Sequence, residues 1–118
     1  MITPTGQAPA FEFIDRHAKH YYVMPDDILY VEADNIYSKI ICKNQVIHVC
    51  HPIFLMQELL PDYFIRIHRS FLVNSHSITA LYHHTLMMSN GTRLPVPGKK
   101  FPWLKECLET LGIPIGPH

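Results

Sequence analysis

The sequence predicts a predominantly β domain with one short helix near its middle and one at its C-terminus. Three observations carry this. Most apolar residues fall in short runs rich in β-branched and aromatic side chains, the composition that suits a pleated, half-buried surface. Turn formers such as Asp34-Asn35 and Asn90-Gly91 punctuate those runs. Only PIFLMQELL and FPWLKECLETLG space their apolar residues as a helix does. At 118 residues and 47% hydrophobic content the chain suffices for one domain with a real core.

Residues 1–10, with Pro4, Gly6 and Pro9, read as a flexible leader. KHYYVM (19–24), ILYVEA (28–33), IYSKIICK (36–43) and QVIHVC (45–50) then read as an antiparallel meander, divided by Pro25-Asp26-Asp27, Asp34-Asn35 and Asn44. In QVIHVC, Val46, His48 and Cys50 share one face and Ile47 and Val49 the other. Pro52 opens a helix with Ile53, Met56, Leu59 and Leu60 on its apolar side, and Pro61 ends it. FIRI, FLV, ITALY, TLMMS and TRLPV follow as strands, with Asn90-Gly91 as the strongest hairpin signal. The last helix places Trp103, Leu104, Cys107, Leu108 and Leu111 on one side and stops at Gly112. Residues 112–118, GIPIGPH, read as a frayed tail.

Composition removes several function classes. No run approaches the roughly 20 apolar residues a membrane helix needs, so no membrane insertion is expected. The N-terminus lacks the basic start and apolar block of a secretory signal, which makes a cytoplasmic location the default. Cys42, Cys50 and Cys107 are odd in number and include no C-x-x-C pair, which points to reduced, mostly buried thiols. Nine histidines invite a metal, and His48, Cys50 and His51 lie close together. A zinc site needs further ligands, however, and His83-His84, read as strand residues, point to opposite faces. Neither metal nor cofactor is expected. His68 and Ser70 form no nucleophile-elbow pattern and the five glycines are scattered singly, so the chain is not read as an enzyme.

Charge is more informative than its total of zero. Between Tyr63 and Lys105 stand Arg66, Arg69, Arg93, Lys99, Lys100 and Lys105 with no acid at all, so that segment carries +6 and the remainder −6. Guanidinium groups make forked, charge-assisted bonds to phosphate, and hydroxyl or imidazole donors can fix a backbone's register. The bland alternative is a solvated charge cluster. Against it stand the missing acids and a second basic place at Arg93 and Lys99-Lys100 that a hairpin could bring near.

DDILYVEADNIYSKI (26–40), ELLPDYFIRIHRSFLVN (58–74), ITALY and NGTRLPV together resemble the LytTR DNA-binding domains, output modules of bacterial response regulators. The resemblance spans about residues 11–111. It implies an elongated antiparallel β fold of about ten short strands in three sheets, with loops entering successive major grooves and no recognition helix. It also implies phosphate contacts from Arg66, His68 and Arg69; Ser70, for its hydroxyl, and Arg93, for its place in the basic segment, are read as joining them. Base-reading loops fall at Asn35-Ile36-Tyr37 and at Lys99-Lys100, where many relatives carry an arginine. Asn74 is a supporting residue; for Ser70 and Asn74 a purely structural role stands beside contact with DNA.

The partner expected is double-stranded DNA, probed as direct repeats by a pair of copies, with a regulatory partner protein supplying the signal. No receiver domain fits before Phe11, so the chain is expected to be free-standing or a fragment of a receiver-containing regulator. The competing readings are a β module that binds an acidic protein by strand addition, and a His-rich metal sensor.

Overall fold

A computed structural model describes residues 10–116. Among these residues ten strands form three antiparallel sheets, joined by two α-helices. The first sheet pairs β1 (Phe11–Ile14) with β2 (His20–Val23). Strand β1 was not expected, because a four-residue run after a Pro-rich leader has little periodicity to declare it. It is held by the loop that follows: the Asp15 carboxylate accepts the N–H groups of His17 and Lys19 at 2.8 and 2.9 Å, and Ala18 takes φ +63°. That Asx turn closes the hairpin. Of the leader, all but Ala10 lies outside the described residues.

The central sheet has the order β5-β4-β3-β7-β6, from β3 (Ile28–Asp34), β4 (Tyr37–Cys42), β5 (Val46–Val49), β6 (Phe64–His68) and β7 (Phe71–Asn74). Strand β3 begins with four consecutive buried residues, Ile28 to Val31, because both of its faces are covered. Ile28 and Val31 join one core with Phe13, Val23, Ile40, Ile47 and Leu72. Leu29 and Tyr30 join the other. Strand β5 alternates as predicted, with Ile47 and Val49 buried and Val46 and Cys50 exposed.

Helix α1 (Ile53–Leu59) caps the first core through Ile53 and Met56, with Leu60 buried just beyond it. Leu59, expected on the buried side, is exposed, because the helix ends there and its backbone turns extended at Leu60. Of the three thiols, Cys42 is buried and its pKa is pushed up to about 11, by burial first and then by Asp27. Cys107 is half-buried and Cys50 is exposed, contrary to the expectation of mostly buried thiols.

Strands β8 (Ile78–Tyr82), β9 (Thr85–Met88) and β10 (Arg93–Pro95) make the third sheet, which packs with α2 (Phe101–Thr110) around the second core. Leu104 and Leu108 are fully buried, each worth about 1.5–3 kcal/mol relative to exposure. Trp103 and Leu111, predicted for the same side, are about half exposed at 49% and 56%. The buried stripe is therefore narrower than the apolar pattern. Gly112, at φ +75°, ends the helix. Its N–H bonds to the Glu109 carbonyl at 3.0 Å and that of Ile113 to Leu108 at 2.9 Å, the paired geometry of a Schellman cap.

Beyond the cap the chain is not frayed. Leu81 donates to the Pro114 carbonyl and Gly116 donates back to Leu81, so the segment pairs in parallel with β8 as far as it is described. The Asn90-Gly91 connection is longer than a two-residue turn. Arg93 pairs with Met87, and Gly91 alone takes a positive φ, +87°. The true two-residue turn of this sheet is His83-His84, between the paired Tyr82 and Thr85. Those histidines are turn residues, both left-handed at φ +49° and +57°, and not the strand residues expected.

Candidate nucleic-acid interface

Period-two alternation would send Arg66 and His68 out of the same face of β6. A bulge prevents it. Arg66 pairs with Leu72 and His68 with Phe71, and the register shifts between them. Since Leu72 and Phe71 are neighbours on β7, Arg66 and His68 leave the sheet on opposite faces.

The half-buried Arg66 guanidinium is largely committed to its own turn. Nε donates to the His68 carbonyl at 2.9 Å, Nη2 to the Arg69 carbonyl at 2.6 Å and Nη1 to Gln57 Oε1 at 3.2 Å. Of its five N–H donors, two are left over. Burial lowers its pKa, though a guanidinium stays protonated. Arg69, at the tip of the turn, is exposed, and its side chain has no partner among the described residues.

His68 Nδ1 accepts the Ser70 N–H at 3.0 Å. In the neutral ring this leaves the proton on Nε2, which is thereby offered as a donor. The Ser70 carbonyl accepts the Ala33 N–H at 2.8 Å, which anchors the turn to β3. Asn74 is fully buried. Its Nδ2 donates to the Ile28 carbonyl at 2.9 Å and reaches Asp26 at 3.3 Å, while its Oδ1 accepts the His76 N–H at 2.9 Å. Asn74 is thus a structural tie.

The second basic place does reach the first. Lys100 Nζ donates to the Arg66 carbonyl at 2.9 Å and lies 5.8 Å from the Trp103 ring centre. Arg66, Lys100 and Trp103 share a depression with Gln57 and Asp62. Lys99 beside them is exposed and, among the described residues, unpartnered. None of Arg66, Arg69, Arg93, Lys99 or Lys100 pairs with an acid among the described residues.

Arg93 sits apart from this group. It is exposed on β10 and lines a different depression, with Tyr82, His83 and Pro114. The remaining predicted loop is the two-residue turn joining β3 and β4, where Asp34 faces Tyr37 across Asn35-Ile36. Asn35 adopts φ +59°, a conformation asparagine tolerates, and Ile36 and Tyr37 are 62% and 46% exposed. Two large apolar side chains are thereby held at a polar tip. Beneath it His48 and Cys50 line a small cavity with Arg16 and Asp34. Among the described residues no three His, Cys, Asp or Glu side chains converge as a metal would need.

The sequence profile of the LytTr DNA-binding domain family matches residues 18–109. The chain belongs to that family. A solved LytTr domain, assigned to a methyl-accepting/DNA response regulator from Bacillus cereus, superposes with a TM-score of 0.72 at 28% identity. The match covers 86% of this chain and 97% of the other. The sensory transduction protein LytT of Enterococcus faecalis is 30% identical over 99 residues, which are 79% of this chain and 40% of that protein. The chain thus spans less than half of that relative.

Reading this LytTr domain by residue type missed three contributors. Gln57 supports Arg66 from α1, and Trp103 flanks the Lys100 ammonium. His84 stacks on Phe101 at 4.3 Å between ring centres, with the planes 13° apart. The two-residue gap between ITALY and TLMMS was the available signal for the last, since that spacing marks a hairpin whatever its residues. No helix among the described residues is long and apolar enough to cross a membrane.

Proposed function

We propose that this LytTr domain binds duplex DNA sequence-specifically as a transcription regulator, with a central phosphate-holding turn flanked by two base-reading loops. One observation carries the reading: Arg66 joins the basic places, its guanidinium holding the Arg69 carbonyl while its own carbonyl receives Lys100. Arg66 and Lys100, far apart in sequence, thus line one depression, and among the described residues neither pairs with an acid, although Asp62 lies at its edge. Such a surface suits a polyanion.

Roles follow from which donors are free. Arg69 at the tip, the His68 Nε2–H, the Ser70 hydroxyl and, from the opposite face of the sheet, the two spare N–H groups of Arg66 hold phosphates, and Arg93, set apart from them, extends the footprint. Asn35, Ile36 and Tyr37 read one major groove, with Ile36 suited to a thymine methyl. Lys99 and Lys100 face the next. Because the Lys100 ammonium already serves the Arg66 carbonyl, Lys99 is the better placed reader. A lysine grips guanine as a point donor, without the fork of an arginine. Two copies bind direct repeats, and a partner protein or attached domain supplies the signal.

Titration against a random duplex pool at two salt concentrations tests this. Saturable, salt-sensitive binding with an enriched motif is expected. No binding at low salt would overturn the proposal.

A further inference from the structure

We infer that His84 is a positioning residue for base reading: it clamps both ends of the loop that presents Lys99. This rests on the DNA-binding reading above and sharpens it. The loop runs from Pro97 to Lys100, between Val96 at the end of the third sheet and Phe101 at the start of α2. His84 touches both flanks. Its carbonyl accepts the Val96 N–H at 2.9 Å, and its ring lies flat on Phe101, 4.3 Å away and 13° from parallel. One residue in a separate hairpin therefore fixes where the loop leaves the sheet and where it enters the helix.

The hairpin accepts strain to do this. A turn with positive φ at both central positions ordinarily carries Asn-Gly or Asp-Gly, whereas His83 and His84 occupy it at +49° and +57°. Side chains in that region cost free energy, and such residues persist where the surroundings hold them. Here the holding groups are visible, for His83 packs edge-on against Tyr82 at 4.2 Å as His84 stacks on Phe101. A glycine at 84 would suit the backbone better and would lose the ring.

Inside the clamp the loop is already tight. Pro97 accepts the N–H groups of Lys100 and Phe101 at 3.0 and 3.1 Å. Along its own length the loop makes no hydrogen bond to the third sheet among the described residues, and Gly98, with open space around it, restricts the backbone less than a residue with a side chain would. Fixing Phe101 removes that freedom, so Lys99 meets the groove preorganised.

The test compares His84→Asn, which tolerates the left-handed backbone and has no stacking ring, with His84→Phe, which keeps the ring. Without DNA, amide hydrogen exchange at Lys100 and Phe101 should speed up in His84→Asn, with the melting temperature unchanged or raised, and stay near wild type in His84→Phe. With DNA, His84→Asn should lose discrimination at the base pair served by Lys99, by about tenfold, with an unchanged salt slope; His84→Phe should retain it. Unchanged exchange and discrimination in His84→Asn would overturn the inference. So would uniformly weaker binding with a shallower salt slope, which would make His84 a phosphate contact. Should the wild type bind no duplex, the functional reading fails, while the exchange comparison still decides whether the clamp exists.

Discussion

Arg66 and Arg69 stand three residues apart in one basic segment, yet the fold treats them as opposites. Arg66 is half-buried and spends three donors on His68, Arg69 and Gln57, while the Arg69 side chain is exposed and unpartnered among the described residues. The same division runs through the neighbouring polar residues. Asn74 is sealed inside between β3 and β7; Lys99 and Asn35 stand at loop tips. Inward-bonded polar groups form a frame, Arg66, His68 and Ser70 at the turn and Asn74 at the far end of its hairpin. The outward cations then meet a ligand without having to be ordered first. Charge alone does not distinguish the two sorts.

The sharpest way to break the contrast is at the frame. Asn74→Ala should cost about 2–3 kcal/mol, because it strips the buried Ile28 carbonyl and the His76 N–H of their partner at once. Urea denaturation reads this directly. A loss below about 0.5 kcal/mol, the scale of ordinary surface changes, would remove Asn74 from the frame. Arg66→Ala comes next, at about 1–2 kcal/mol, since water reaches the half-exposed turn and replaces part of what is lost. Arg66→Lys restores the charge without the fork. It should therefore be nearly as destabilised as the alanine variant, and full rescue by lysine would show that Arg66 acts through charge.

Much of this division could not be seen in the sequence. The β3-β4-β5 part of the meander, both helices and the Gly112 stop were legible, because each rests on local periodicity or on one residue's backbone preference. KHYYVM, expected as the meander's first strand, instead pairs with β1 in a sheet of its own. The family likeness pointed to the basic turn and to both loops as the places to look. What escaped was whatever depends on register. RIHRS predicts Arg66 and His68 on one face, and only the bulge opposite Leu72 and Phe71 separates them. The carbonyls that Arg66 and Lys100 satisfy are backbone atoms, which a side-chain pattern does not report. The His-His turn was hidden for a related reason: its residues are ones a left-handed turn seldom chooses.

At the tip the expected effect on folding shrinks and the effect on DNA takes over. Arg69→Ala should stay within about 0.5 kcal/mol of wild type in stability. Binding should weaken alike for all sequences, with the salt dependence shallower by about one unit of slope. Affinity measured over a salt series for a motif duplex and a scrambled one decides it. A changed base preference at an unchanged slope would move Arg69 from phosphate holding to base reading.

The smallest effect separates frame from tip by acid. Burial pushes the Asp26 carboxyl up, but bonds from His76, Asn74 and Tyr63 outweigh it and hold the pKa below the ordinary 3.8. His76 Nδ1 lies 2.9 Å from Asp26 Oδ1, and the His76 ring stacks on Tyr63 at 4.0 Å. A carboxyl with a depressed pKa in the folded state adds stability above its unfolded pKa and loses it as pH falls through the folded one. The contribution of Asp26 is thus fully present at neutral pH and disappears below about pH 4. With 63% of that side chain exposed, solvent screens most of the gain and the step is shallow. Asp26→Asn should flatten the acid limb of a stability-versus-pH curve, whereas Arg69→Ala should leave its shape unchanged. An Asp26→Asn curve that runs parallel to wild type down to pH 3 would take Asp26 out of the frame and leave Asn74 to hold β3 to β7 without it.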